Sequence, residues 1–314
     1  MLPRNSNRQK NIAVIVNPSS AGGKTLLRWP EFEQSLITAG FSVTKHFSTS
    51  ESDFRETVKY FSRKFKMIGV CGGDSSLTIA AEELQEKKFR GELVFFPAGS
   101  VNDLVLAIGA HSLKPRSIFL GNLEGPADQK LFIGQANWGL GVVVNRWVGK
   151  ILAALPFLRP VTGLIGFVCI VVAHVLHREL VEAEIIAGKS RSKGDYSIII
   201  VSQISHWASG LNFCPGASYA SPVFQVVTVK RCGLLRLMRI ILAAKNGGHL
   251  AFDEVSQSEA ATVTLHFAWP QAVQVDGDIL RAAGAQVLAA DYSLGKLKTG
   301  FTLSLPAAPL SAHP

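Results

Sequence analysis

Long apolar runs are scarce in this 314-residue chain. The best candidate, residues 151–176, is broken by Pro156, Arg159 and Pro160, leaving a clean stretch of 16 residues at 161–176. That falls short of the ~20 needed to cross a bilayer, so a buried or interface-dipping helix is expected. Cysteine is sparse too. Cys71, Cys169, Cys214 and Cys232 show no CxxC spacing, which argues against a zinc ribbon or a disulfide framework. The first ten residues are polar and basic without an apolar core, so no secretory signal is expected and the reduced cytoplasm is the expected compartment. Acidic residues are the minority, 23 against 32 basic, for a net charge of +9. Such a surplus suits an anionic partner. No dense Lys/Arg run with interleaved aromatics appears, which favours an acidic lipid surface over nucleic acid. One further absence concerns phosphate. Gly23-Lys24-Thr25 ends like a P-loop, but Pro18 stands where the first glycine of that motif belongs. A proline has no N–H to offer a phosphate.

What is present is a repeating order in the first third. Residues 11–16, 41–47, 66–70 and 91–97 read as strands. Residues 29–40, 51–65, 76–87 and 101–109 read as helices, the second with Phe54, Val58, Phe61 and Phe65 on one face. Strand–helix alternation predicts a parallel sheet with helices on its faces, and ligands of such sheets bind at the strands' carboxyl ends. Three glycine-bearing loops leave those ends, at 17–23, 72–76 and 98–102. Beyond about residue 128 short β-like runs dominate, interrupted by helix candidates at 161–178 and 233–246, which predicts a mostly antiparallel, sandwich-like domain. The Gly-Pro segment 124–130 is the expected linker. The domains expected are an α/β unit at 8–128, completed by 285–306, and a β-rich unit at 129–284.

Each loop has two readings. Gly72-Gly73-Asp74-Ser75-Ser76 puts glycines at a strand end and hydroxyls at a helix start, a geometry for phosphate. An aspartate there implies a cation between it and the anion. The same residues also make a tight turn with Asp or Ser as N-cap. Asn102-Asp103 can equally be an ordinary capped helix entry, and Asp276-Gly277 a hairpin turn. His111, His206 and His249 fit no metal-ligand spacing.

In this order the motifs resemble the diacylglycerol kinase catalytic family of lipid kinases, which includes sphingosine and ceramide kinases. Asn17-Pro18-Ser19-Ser20-Ala21-Gly22 matches its Asn-Pro-x-Ser/Ala-Gly, and Gly72 to Ser76 its Gly-Gly-Asp-Gly-Thr. Pro97-Ala98-Gly99-Ser100-Val101-Asn102-Asp103 matches its Pro-x-Gly-Thr-x-Asn-Asp, and Asp276-Gly277-Asp278 its late Asp-Gly-Glu. The helix ending at 242–250 looks like the family's Gly-x-His element. The resemblance implies transfer of the ATP γ-phosphoryl group to a lipid hydroxyl with Mg²⁺. It implies nucleotide contacts at Asn17, Ser19, Ser20, Gly22, Thr49, Gly72, Gly73, Asp74, Ser75, Ser76, Gly99, Ser100 and Asn102. It also implies Mg²⁺ near Asp74, Asp103 and Asp128, and a proton acceptor at Asp276 seconded by Asp278.

Departures from the pattern are specific. Ser75 stands for a glycine, Val101 for a small residue, Gly134 for an asparagine and Asp278 for a glutamate. The family's acidic turn becomes 215–223, without a carboxylate. A catalytically inactive lipid- or nucleotide-binding homologue and an NAD kinase-like enzyme are the alternatives. The stretch 230–246 interleaves Lys230, Arg231, Arg236, Arg239 and Lys245 with apolar residues. It reads as a helix lying on anionic lipid or as one packed on the β domain. The partners expected are a lipid substrate, an anionic membrane contacted peripherally and a second copy of the chain.

Overall fold

The structure is a computed structural model that describes residues 10–99, 103–108, 115–125, 129–177, 180–208, 210–282, 285–286 and 288–305. The chain forms two compact units, Met1–Ile118 with Thr299–Pro314, and Phe119–Lys298.

In the first unit, strands β1 (Lys10–Val16), β2 (Phe41–Phe47), β3 (Met67–Gly72) and β4 (Glu92–Pro97) alternate with helices α1 (Thr25–Thr38), α2 (Glu51–Lys64), α3 (Asp74–Glu86) and α4 (Asp103–Ile108). The strands lie parallel in the order β2-β1-β3-β4. β1, β3 and β4 are buried along most of their length, as strands covered on both faces must be. One face packs against α1 through Trp29, Phe32 and Leu36, which meet Ile12, Val14 and Phe96. Helix α1 begins at Thr25, four residues before Trp29. Gly22 and Gly23, at φ +65° and +96°, end a short 3₁₀ turn there. Helix α3 begins at Asp74, because Gly73 is the extended residue before it.

The second unit starts within β5 (Arg116–Glu124) and continues through β6 (Gln129–Phe132), β7 (Gln135–Gly139), α5 (Leu140–Ala154), α6 (Thr162–Val175), β8 (Val181–Ala187) and β9 (Ser190–Ser202). It then runs through β10 (Phe224–Lys230), α7 (Leu234–Ala243), β11 (Val255–Ala260), β12 (Thr262–Ala272), β13 (Gln274–Val275), β14 (Asp278–Ile279), the short pair β15 (Arg281–Ala282) and β16 (Ala285–Gln286), and β17 (Leu288–Ser304). The order is β14-β13-β7-β9-β8-β12-β17, with β10 pairing both β9 and β11. Each of these pairs is antiparallel. The last residues of β17 instead lie parallel to β4 in the first unit's sheet. The units therefore divide inside β5 and β17, two continuous strands, and not at the Gly-Pro segment 124–130.

Alternation along β9 and β10 explains the second unit's layers. Ile199, Val201, Phe224 and Val226 point into a core with Trp138, Phe267 and Tyr292. Ile198, Ile200, Val227 and Val229 point the other way, against α7 and Ala173 of α6. The sandwich thus carries helices on one outer face. Helix α5 was not legible beforehand. It follows Gly139, whose φ of +82° and ψ of −126° only glycine adopts readily. Among the described residues no helix is long and apolar enough to cross a membrane.

Candidate functional site

The first unit gathers three strand-end loops. Asn17 N donates to Cys71 O (2.9 Å) and Ala98 N to Gly72 O (2.8 Å), so the loops after β1, β3 and β4 are stitched edge to edge. Asn17 Nδ2 reaches Ser76 Oγ (2.9 Å), tying the first loop to the opening turn of α3. Its Oδ1 accepts from Ser19 N (3.1 Å) and folds the loop back. Two glycines make this approach feasible. A Cβ on Gly72 would lie 2.7 Å from Ser76 Oγ. A Cβ on Gly73 would lie 3.3 Å from Ser20 Oγ and 3.5 Å from the Gly99 Cα. Residues of three separate loops therefore face one small volume in front of α3. Gly73 has no side chain to cap that helix, and an uncapped helix start presents N–H groups and a positive dipole end. The arrangement suits an anionic phosphate group.

Of the residues implicated by the sequence, Asn17, Ser19, Ser20, Gly72, Gly73, Ser76 and Gly99 come together here, with Asp74 and Ser75 on the opening turn of α3 and Gly22 in the 3₁₀ turn of the first loop. Ser75 is exposed on the first turn of α3. Thr49 is engaged locally, because its N–H (2.8 Å) and Oγ1 (3.2 Å) both donate to Asp53 Oδ2. The Thr49 N–H and then His46 hold the Asp53 carboxyl below its usual range. Asp74 and Asp103 open α3 and α4, where the helix dipole favours a carboxylate. Ser100, Asn102 and Asp128 lie outside the described residues. Among those described, no group of three or more His, Cys, Asp or Glu is assembled as a metal cage. Asp74 and Asp103, each at a helix start, are carboxylates of the type that Mg²⁺ takes one or two of.

Arg28 was missed by the sequence reading. One turn into α1, its Nη1 donates to Pro97 O (3.1 Å), placing a cation at the end of β4 beside the loops. Cys71, near the end of β3, is buried. Burial pushes its thiol up to about 12, against the pull of Arg28.

The second unit contains the other predicted residues. Asp276 and Gly277 connect β13 to β14 with positive φ at both positions, +47° and +92°, as a tight hairpin turn requires. The Asp276 side chain reaches across to the break between β6 and β7. Its Oδ1 accepts from Gly134 N and Gln135 N (2.8 Å each) and its Oδ2 from Ile133 N (2.9 Å). A Cβ on Gly134 would lie 2.6 Å from Asp276 Oδ1, which explains the glycine where the resemblance has asparagine. Asp278 is exposed on β14. Asn145 of α5 donates to Gly277 O (2.7 Å), supporting the turn from its other side.

Further along α5, Val142, Val143, Arg146 and Trp147 line a cavity of about 490 Å³, closed by Val181 and Leu288 among others. Its lining mixes aliphatic side chains with Gln271 and one cation, Arg146, whose buried Nε has no hydrogen-bond partner, and more of its surface is polar than apolar. Such a lining accepts an amphiphile. In the 215–223 loop, where the family pattern is acidic, Ser221 O accepts from Lys296 Nζ (3.0 Å), which also sits 4.8 Å from the Phe224 ring centre.

Known domain families match both halves of the chain. Residues 11–127 match the model of the diacylglycerol kinase catalytic domain. Residues 149–294 match the YegS C-terminal NAD kinase beta sandwich-like domain. A diacylglycerol kinase of Staphylococcus carnosus (strain TM300) is 22% identical over 282 residues, covering 86% of this chain and 89% of that protein. One of Staphylococcus saprophyticus is 21% identical over the same coverage. The crystal structure of a diacylglycerol kinase from Bacillus anthracis str. Sterne superposes with a TM-score of 0.67 at 15% identity, over 96% of this chain and 98% of that one.

Proposed function

We propose that this chain, which belongs to the diacylglycerol kinase catalytic-domain family, is an ATP-dependent lipid kinase. The observation that carries the reading is the convergence of three loops on Gly73 at the open start of α3. In this reading the first unit holds the ATP phosphates with the leading N–H groups of α3, the hydroxyls of Ser20 and Ser76, and Arg28. Asp74 and Asp103 would hold Mg²⁺ together with those phosphates, and the ion would neutralise charge building on the transferred group. Phosphoryl transfer asks the protein mainly for positioning and charge. Asn17 contributes by locking the first loop to α3.

The second unit receives the lipid. Its cavity beside α5 takes an acyl chain, and Asp276 orients the acceptor hydroxyl and takes its proton. Three backbone N–H groups hold that carboxylate in place. The same three bonds favour a second reading, in which Asp276 is a structural clip and the chain binds nucleotide and lipid without transfer.

ADP release from ATP and Mg²⁺ separates the readings when diacylglycerol, a sphingoid base or NAD is offered as acceptor. Release stimulated by a lipid and lost in Asp74→Asn supports the kinase. Stimulation by NAD alone would assign the chain to nucleotide phosphorylation. ATP binding without stimulated release by any acceptor would leave the binding protein.

A further inference from the structure

We propose that the α5–α6 hairpin, with the outer side of α7, is a docking surface for an anionic phospholipid bilayer. This deepens the lipid-kinase reading by naming where the second unit meets its substrate's membrane, and its test does not need turnover.

The argument starts from α6. Its sequence, TGLIGFVCIVVAHV, contains no Asp, Glu, Lys or Arg. A helix packed on a globular surface normally keeps a polar stripe toward water, and α6 has none. Only Cys169 and Ala173 of it are buried, while Leu164 (64% exposed), Phe167, Val168 and Val175 face outward. Phe157, in the 3₁₀ turn joining α5 to α6, is 73% exposed. Apolar surface this continuous marks an interaction site. The 14-residue helix is about 21 Å long, too short for a hydrocarbon core of about 30 Å. Lying in the interface is the geometry left to it.

Charge identifies the partner. Residues 140–178 contain Arg146, Lys150, Arg159 and Arg178 and no Asp or Glu. Helix α7, which touches α6, buries Leu237 and Ile240 and turns Leu235 (79% exposed) and Leu242 (75%) outward. Between and beyond those leucines stand the exposed Arg239 and Lys245. Residues 228–252 likewise contain no carboxylate. Arg236 of α7 is paired with Glu254, but the exposed Lys150, Arg239 and Lys245 stand beside these aliphatic side chains, and cations next to apolar surface match an acidic membrane. A protein partner of this size would call for a rim of mixed, matched hydrogen-bonding groups.

The test uses the full chain and extruded vesicles of equimolar phosphatidylcholine and phosphatidylglycerol, with pure phosphatidylcholine alongside. The chain is expected to sediment with the acidic vesicles, less with the neutral ones, and to be released by salt. Phe157→Asp and Leu164→Asp are each expected to weaken partitioning about tenfold without lowering the melting temperature, since both side chains already face water. Asp74→Asn is expected to bind vesicles like the parent, and the two hairpin variants to keep acceptor-stimulated ADP release on detergent-dispersed lipid. The proposal fails if the parent ignores acidic vesicles, or if the hairpin variants bind as it does. It also fails if they instead convert a dimer to monomers at unchanged vesicle binding, which would make the patch a contact between copies. Absence of acceptor-stimulated release in the parent chain, with its vesicle binding intact, would overturn the kinase reading alone.

Discussion

Replacing Gly134 by alanine perturbs the second unit at one defined atom. The new Cβ would sit 2.6 Å from Asp276 Oδ1, well inside van der Waals contact. The neighbour is a carboxylate on a turn that Asn145 and Gln274 brace through Gly277 O, so it can yield only by breaking its bonds. Oδ1 accepts from both Gly134 N and Gln135 N. A hydrogen bond to a charged group contributes about 1.5–3 kcal/mol. Losing one and straining the other should therefore cost about 2–4 kcal/mol. For a unit of this size each kcal/mol lowers Tm by about 2–4 °C. Calorimetry should show the second unit's transition falling by several degrees or more. The decisive comparison repeats the substitution in an Asp276→Ala background, where the atom it collides with is gone. Gly134→Ala should then be nearly neutral, leaving a coupling of about 2 kcal/mol or more between the two sites, near the top of what contacting residues show. Equal costs in both backgrounds would refute the placement of the Asp276 carboxylate against the β6–β7 break.

Three other outcomes are expected. Gly73→Val fills the space facing Ser20 Oγ and the Gly99 Cα, so ATP binding measured by calorimetry should fall at least tenfold with little change in Tm; unchanged affinity would remove this loop from the nucleotide site. Burial brings the Lys296 ammonium down to about 7, although the Phe224 ring it faces favours the charge. Between about 7 and the ordinary lysine value of 10.5 the unfolded chain holds a proton that the folded one has released, so this residue makes stability rise with pH across that window. Lys296→Met should flatten that rise in urea titrations, and an undiminished slope would show the lysine is solvated. Asp276→Asn keeps one oxygen for Gly134 N and Gln135 N but turns an amide toward Ile133 N. It should cost about 1–3 kcal/mol as well as turnover, and full stability in urea would contradict this bonding pattern.

The first unit was legible because its signals are local. β2 occupies the expected residues, Phe41–Phe47, and α2 ends one residue short of the reading, since alternation and a 3.6-residue apolar face need only neighbours in sequence. The α3 start was read two residues late because Asp74 and Ser75 look like loop residues until Gly73 is known to be extended. Helix α5 was hidden by its composition. The β-branched run Val142, Val143 and Val144 is a weak helix former, and packing against α6 and β7 makes it helical. At the site, the glycine loops were visible as motifs, and their convergence follows from the parallel sheet. What Asp276 touches was not visible. Its partners lie more than 140 residues away, and Asp-Gly alone predicts the turn but not where the carboxylate points. Arg28 escaped for the same reason, being tied to Pro97 by tertiary structure and by no motif.

Transfer of label from γ-³²P ATP into lipid is the most direct measurement of the central claim. The purified chain, Mg²⁺ and a mixed lipid extract are incubated, and the organic phase is resolved by chromatography. A labelled lipid formed by the parent, and absent with Asp74→Asn and with Gly73→Val, is the predicted result, and its mobility would identify the acceptor. An organic phase without label, from a preparation that binds both ATP and lipid, would contradict kinase chemistry in this chain.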